Sequence, residues 1–270
     1  MTPAELVRAY ALPNKKRFGQ HFLTQVSLLD RMVQLAGPDV EVIEVGPGPG
    51  TLTTRLLAAQ KRVRAVELDR DAAAFLRAVF AAEPRIAVFE GDATTDLVPD
   101  LLRAMPAVVV GNLPYNVGNE IMFRVAECEA RPSRMVLMFQ REVAERIVCT
   151  GASADFSLLG LGVAIHYRAT LGFIVAPGAF VPPPKVESAV VVLDRRPAPL
   201  VEGEALGWYR RLGRAAFAQR RKMLRASLRA VHPDIVPWLR AEGIAETARP
   251  EELDVEAFVR LAKRAAASVA

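Results

Sequence analysis

Four segments place polar chemistry at the end of an apolar run. Glu41–Val45 leads into Gly46-Pro47-Gly48-Pro49-Gly50, and Val63–Leu68 carries Glu67 near its end. Ile86–Glu90 is followed by Gly91-Asp92, and Ala107–Gly111 runs straight into Asn112-Leu113-Pro114-Tyr115. Gly46, Gly48 and Gly50 permit tight turns and a close approach of backbone to a ligand. A dinucleotide loop wants glycine at position 51, which is Thr51. Pro47 and Pro49 also remove two N–H donors that could cradle phosphate. Glu67 lies about twenty residues past the loop, where α/β folds grip ribose hydroxyls, and its charge would repel a phosphate. Asp92 is an acceptor suited to the exocyclic amine of adenine. A nucleoside with a cationic tail meets all these conditions, and S-adenosylmethionine is such a nucleoside. Glu44, beside the loop, can orient it or balance the sulfonium.

Asn112 ends the fourth apolar run, so it faces the same crevice. Its side-chain carbonyl can accept from an exocyclic amine, and Pro114 biases Leu113 toward an extended backbone that aims a second carbonyl there. Two acceptors on one amine favour its tetrahedral form and free the nitrogen lone pair for in-line attack on an activated methyl. No base is needed before the attack, because an adenine amine is neutral and its proton can leave afterwards. Tyr115 offers a flat face on which the base can stack, worth about 1 to 3 kcal/mol. A paired base cannot present that nitrogen, so the target must be unpaired or flipped.

The elements that must position these groups follow from the pattern. Apolar runs at 41–45, 63–68, 86–90, 107–111 and 134–140 read as strands, with helix-like segments at 51–60 and 69–80. Strands alternating with helices predict an α/β fold with a parallel sheet covered on both faces. Residues 141–147 read as helix. Residues 165–175 and 186–194 read as two strands that can pair as a long antiparallel hairpin around a Pro-rich loop. A Pro-rich, charged linker follows Asp194, and helical character begins near Ala205. The expected division is a catalytic, cofactor-binding domain over 1–200, including the N-terminal arm, and a small all-helical RNA-binding domain over 201–270.

The chain of 270 residues is 51% hydrophobic and 24% charged, ordinary for a soluble globular protein. No signal peptide or membrane span is expected. Cys128 and Cys149 show neither metal-ligand nor disulfide spacing, so no metal site is expected and a reducing cytoplasm fits them. The net charge is +5, yet eight basic residues and no acid fall between Ala205 and Pro233, leaving 27 basic against 30 acidic residues elsewhere. These are Arg210, Arg211, Arg214, Arg220, Arg221, Lys222, Arg225 and Arg229. On one unbroken helix, seven of them would fall within about 120° of arc. Leu206, Leu212, Ala216, Met223 and Leu224 would lie mostly opposite. Such a face suits a polyanion, and nucleic acid above all.

Seven segments share one family pattern in order and spacing: residues 19–23, 44–53, 66–69, 91–93, 111–117, 180–190 and 217–228. Nearly the whole chain resembles the bacterial small-subunit rRNA adenine dimethyltransferases of the KsgA type. The resemblance implies a class I, seven-stranded, Rossmann-like methyltransferase fold. It also implies transfer of four methyl groups to two adjacent adenosines in the hairpin loop near the 3′ end of 16S rRNA, within an immature 30S subunit. By motif position it implies cofactor contacts at His21, Leu23, Gly46, Glu67, Asp92 and Asn112, with Gly48 and Gly50 in the same loop. His21 departs from the pattern, which has Asn in the Gln-x-Phe-Leu motif of many members; as a ligand beside a sulfonium it would be neutral. Phe180 matches a position that closes the target-base pocket; Lys185, and from the basic segment Arg221, Lys222 and Arg225, are the expected RNA contacts. The expected protein is a cytoplasmic monomer.

Two rivals share parts of this reading. Large-subunit rRNA adenine methyltransferases of the macrolide-resistance type also resemble the N-terminal portion, but RRKMLRASL favours the small-subunit type. A mainly RNA-binding ribosome-assembly factor would not require Gly46, Gly48, Gly50, Glu67, Asp92 and Asn112 together. An NAD-dependent dehydrogenase fails at Thr51, and a DNA adenine methyltransferase would place Pro at position 113.

Overall fold

Val108, Val109 and Val110 are buried on both faces of a strand, as an uninterrupted β-branched run requires in a doubly covered sheet. The computed structural model describes residues 1–10, 21–233 and 235–269. The basic stretch Lys15–Arg17, and Gly19 and Gln20 of the family pattern, lie outside the described residues.

Pro3–Tyr10 forms α1, Phe22–Leu23 forms β1 and Val26–Leu35 forms α2. Strands and helices then alternate through β2 (Glu41–Val45), α3 (Thr51–Ala58), β3 (Arg62–Glu67), α4 (Arg70–Val79) and β4 (Ile86–Glu90). The alternation continues through α5 (Leu97–Ala104), β5 (Val108–Asn112), α6 (Gly118–Glu127) and β6 (Arg134–Gln140). Next come α7 (Arg141–Val148), α8 (Leu158–Ala164), β7 (Tyr167–Val175), β8 (Phe180–Val181) and β9 (Ser188–Arg195). The chain ends in α9 (Gly203–Ala218), α10 (Leu224–Ser227), α11 (Ile235–Ala241) and α12 (Val255–Val269).

Seven strands form one sheet in the order β4-β3-β2-β5-β6-β9-β7. The pairings of β2 with β3 and β5, of β3 with β4, and of β5 with β6 are parallel; β9 runs antiparallel to β6. From β2 the chain builds outward through β3 and β4, then returns to place β5 on the other side of β2. This reversal opens a crevice at the carboxyl ends of β2 and β5. The Gly loop and Asn112 therefore become neighbours, although about sixty residues separate them in sequence. Arg64 on β3 ties α5 to the sheet, donating to the carbonyls of Leu101 at 2.7 Å and Met105 at 3.0 Å. Both carbonyls lie at the end of α5, where Leu101 also accepts the N–H of the cap residue Met105 at 3.1 Å.

The expected pairing of the last two long strands holds, with β9 between β6 and β7. A second, two-stranded sheet joins β1 to β8 in antiparallel register, Phe22 opposite Val181 and Leu23 opposite Phe180. Leu23 and Phe180 belong to a buried cluster with Leu29, Met32, Leu56, Val110 and Met138.

The chain divides into two compact units, residues 1–144 with 170–195, and residues 145–169 with 196–270. A single boundary at residue 200 assigns 145–169 to the sheet domain, whereas these residues join the helical unit. The cause is burial: Phe156, Leu161 and Ile165 share a core with Trp208, Tyr209, Leu212 and Phe258. Each fully buried side chain of this size contributes about 1.5 to 3 kcal/mol. The Tyr209 hydroxyl satisfies itself within that core by donating to the Leu161 carbonyl at 2.9 Å.

The single amphipathic arc expected for the basic residues is corrected by the structure. α9 ends at Ala218, with Gln219 as its cap at φ −128°, and the chain turns before α10 begins at Leu224. The turn is fixed by the bond from Lys222 N to Gln219 O at 2.8 Å, and by Leu224 N donating to Ala248 O at 2.8 Å. It sinks Leu224 and Leu228 into the core while Met223 stays exposed. Among the described residues, no helix is long and apolar enough to cross a membrane.

Candidate active site

The Gly loop after β2 makes three left-handed turns, with φ of +67° at Gly46, +53° at Gly48 and +87° at Gly50. Side chains are excluded at two of them by space as well as strain. A Cβ on Gly48 would lie 2.7 Å from the Phe22 ring, and one on Gly50 would lie 2.9 Å from both Leu76 and Phe80. At Gly46 the nearest atom to such a carbon is the Asn112 carbonyl oxygen, 3.7 Å away, so an open cradle separates the ends of β2 and β5.

Glu67 braces this loop. Its Oε2 accepts the Gly48 N–H at 2.9 Å and its Oε1 accepts the Asp69 N–H at 2.9 Å. The side chain is buried, which pushes its pKa above the usual carboxylate range against the opposing pull of those two N–H groups. Glu67 therefore does a structural job that its position alone did not reveal. A carboxylate offers about four lone-pair sites, so two remain for a ligand's hydroxyls. Beside it, Asp69 caps α4 by accepting from the N–H groups of Asp71 and Ala72, and Tyr10 of α1 donates to its Oδ2 at 3.2 Å.

Glu44 is 1% exposed. Its Oε2 accepts the Thr53 hydroxyl at 2.7 Å, a bond that ties β2 to the first turn of α3. Burial pushes its carboxyl up to about 8, with the charge of Glu67 adding to the shift and the Thr53 bonds opposing it. The Glu67 charge thus adds to the cost of ionising Glu44, an arrangement that a bound cation would relieve. Glu44 also lines a cavity of about 20 Å³ with Leu23, Met32, Gly46, Thr51 and Asn112, room for about one water.

Asp92, after β4, forms a local turn in which Oδ1 accepts both the N–H and the hydroxyl of Thr94 at 2.8 Å. Among the described residues its second oxygen has no such partner. Leu68, which the sequence reading did not single out, follows Glu67 and is 59% exposed. An apolar side chain presented to solvent next to Glu67 is a surface on which a purine can lie, and the signal for it was its place as the last residue of the apolar run 63–68.

Asn112 donates its amide Nδ2 to the backbone carbonyl of His21 at 2.9 Å. Only the NH₂ side can donate to a carbonyl, so the Oδ1 side is left as an acceptor. Leu113 is buried, Pro114 is exposed, and Tyr115 is half-buried with its hydroxyl sharing a 2.6 Å hydrogen bond with Ser188. Burial raises the Tyr115 pKa, so the phenol stays neutral at ordinary pH. The His21 ring lies against Tyr115 with centroids 6.1 Å apart and planes 25° from parallel.

The structure gathers His21, Leu23, Gly46, Gly48, Gly50, Glu67, Asp92 and Asn112–Tyr115 around the carboxyl edge of one sheet. Phe180 differs from expectation. Its register opposite Leu23 lays the ring into the core, 2% exposed, so it presents no open face to a base. Lys185 is exposed on the Pro-rich loop. In the helical unit Arg221, Lys222, Arg225 and Arg229 are exposed. Arg220 is engaged with Glu251 at 3.7 Å, and Arg211 lies over the Trp208 ring at 3.8 Å.

Residues 11–267 match the profile of the family described as ribosomal RNA adenine dimethylase. The ribosomal RNA small subunit methyltransferase A of Methylobacterium radiotolerans is 46% identical over 268 residues, spanning 96% of this chain and 91% of the relative. The protein of the same name from Afipia carboxidovorans is 44% identical over 268 residues, spanning 96% and 94%. The crystal structure of 23S rRNA methyltransferase ErmE superposes with a TM-score of 0.73 at 28% identity, covering 90% of this chain and 98% of that one. On the strength of the profile match and these identities, the chain belongs to the ribosomal RNA adenine dimethylase family.

Proposed function

We propose that the protein uses S-adenosylmethionine to dimethylate two adjacent adenosines near the 3′ end of 16S rRNA in immature small subunits. The observation that carries this reading is the orientation of Asn112, whose NH₂ is held by the His21 carbonyl so that Oδ1 is available to an incoming amine. The cofactor fits the residues present. Gly46 leaves a cradle that a Cβ would fill, Pro47 and Pro49 offer no N–H to a pyrophosphate, and Glu44 and Glu67 are buried carboxyls whose ionised forms a nearby cation would favour. Glu67 and Asp92 would hold the ribose and adenine ends, with Leu68 against the ring. Gly46, Leu23 and the His21 segment would border the methionine end. When bound, the cofactor supplies an electrophilic methyl group on a sulfonium.

Asn112 Oδ1 and the Leu113 carbonyl accept from the target amine and draw it toward a tetrahedral nitrogen with an available lone pair. Tyr115 supports the flipped base by its face, worth about 1 to 3 kcal/mol. The nitrogen's proton leaves to solvent after the new N–C bond has formed, so no side chain need act as a base. Arg221, Lys222 and Arg225 contribute phosphate contacts, as does Lys185. The relatives named small subunit methyltransferase A support the small-subunit substrate. A monomer working in the cytoplasm on ribosomal precursors belongs to the same reading. The likeness to ErmE keeps a large-subunit substrate as the second reading. Purified protein given labelled cofactor and both immature subunits should label the small one alone. Label in the large subunit alone would reverse the assignment.

A further inference from the structure

His21 makes three contacts, one each with Asn112, Pro182 and Tyr115. The His21 carbonyl accepts Asn112 Nδ2 at 2.9 Å. Its ring Nδ1 lies 2.9 Å from the carbonyl of Pro182, and a carbonyl only accepts, so Nδ1 carries a proton in either charge state of the ring. Its ring face meets Tyr115 at 6.1 Å and 25°. The N-terminal segment, the loop after β5 and the Pro-rich loop are thus pinned together by one residue.

We propose that the His21 side chain is a positioning residue for methyl transfer and not a ligand of the cofactor. Anchored to Pro182 and Tyr115, it holds its own carbonyl where that carbonyl fixes the amide of Asn112. The inference rests on the reading of Asn112 given above. The terminal torsion of an asparagine is broad and roughly two-fold, so an untethered amide could turn its NH₂ toward the target. That would set donor against donor. With a carbonyl opposite, the flipped state faces oxygen with oxygen and is disfavoured. The same geometry explains how asparagine, which the family pattern carries here, can serve at this position. Asparagine Nδ2 and histidine Nδ1 stand the same number of bonds from the backbone, so both can donate to the Pro182 carbonyl. Only histidine adds a ring against Tyr115.

His21→Asn keeps the donor without the ring, His21→Phe keeps a ring without the donor, and His21→Ala removes both. The measurements are the cofactor dissociation constant by calorimetry without RNA, which also reports folding, and kcat and KM on precursor subunits. All three variants should bind S-adenosylmethionine within about twofold of the wild type. At saturating cofactor, His21→Asn and His21→Phe should each lose about two- to tenfold in kcat, one hydrogen bond or one ring contact apiece. His21→Ala should lose about tenfold or more, with His21→Asn restoring at least half of that loss on a logarithmic scale. A tenfold weaker cofactor affinity with unchanged kcat would make the side chain a cofactor ligand and overturn the proposal. Wild-type values in every variant would overturn it equally. Asn112→Ala is run in parallel. If that variant methylates normally, the reading of Asn112 itself has failed; if it is inactive while the His21 variants are normal, only the role of His21 has failed.

Discussion

Gly48 donates its backbone N–H to Glu67 Oε2 at 2.9 Å, so the acidic end of β3 holds the shape of the loop that follows β2. The second Glu67 oxygen accepts from Asp69, which caps α4. One buried carboxylate therefore sets both the loop and the helix that flank the proposed ribose position. Glu67→Gln keeps an acceptor for one N–H but turns an NH₂ toward the other. A hydrogen bond to a charged group is worth about 1.5 to 3 kcal/mol, so cofactor affinity should fall roughly 10- to 100-fold. Calorimetric titration with S-adenosylmethionine reads this directly, and an unchanged affinity would remove Glu67 from the cofactor site.

The 2.6 Å bond between Tyr115 and Ser188 separates two contributions of that tyrosine. Tyr115→Phe keeps the ring and loses the bond, so kcat/KM on precursor subunits should drop about two- to tenfold. Tyr115→Ala also loses the stacking face and should cost a further factor of about 5 to 100. Ser188→Ala should match Tyr115→Phe, and the double variant should add nothing. Additive losses would mean that the hydroxyl works on something other than Ser188.

Glu44 carries a pH signature. Its folded carboxyl is pushed up to about 8 from an ordinary value of 4.5, mainly by burial. Between those values the folded chain keeps a proton that the unfolded chain has released. Its contribution to stability therefore declines as pH rises through that window, and above the window the penalty is complete. Melting curves of the free protein should show this decline in wild type and lose that component in Glu44→Gln. The variant should be the more stable of the two at pH 9 and close to wild type at pH 5. Above about pH 8, where Glu44 is ionised and favours a cation nearby, cofactor binding should weaken in the same variant. A wild-type pH slope in Glu44→Gln would contradict the assignment.

Much of this molecule was legible in its sequence, and what was hidden has physical causes. The strands β2, β4 and β6 lie where their apolar runs place them: the centres of β2 and β6 are buried on both faces and so mostly apolar, while β4 is a partly buried edge strand. The carboxyl-edge cluster followed from the residue types that end those strands. The pairing of β1 with β8 was not legible, because two-residue strands about 160 residues apart leave no periodic trace. Phe180 goes into the core through that same pairing. The break after α9 was hidden because the spacing of Arg214, Arg221 and Arg225 continues across it as though the helix did. The structural work of Glu67 and Asp92 went unseen since a carboxylate does not announce whether backbone N–H groups already occupy it.

Breaking the expected arc does not remove the cations from the surface, as Arg221, Lys222 and Arg225 remain exposed on and beside α10. Replacing all three by Gln should weaken binding to immature small subunits. The slope of log K against log salt should flatten by about two to three. An unchanged slope would take these residues out of the RNA footprint.

The central claim is that Asn112 presents its carbonyl oxygen to the amine being methylated. Its most direct test is Asn112→Ala assayed for binding to precursor subunits and for single-turnover methylation of the same preparation, with the modified nucleotides mapped. Subunit affinity should stay within about twofold while methylation of both adenosines falls about a hundredfold or more, as for loss of a preorganised transition-state contact. Wild-type methylation by that variant, or a loss fully accounted for by weaker binding, would contradict the account.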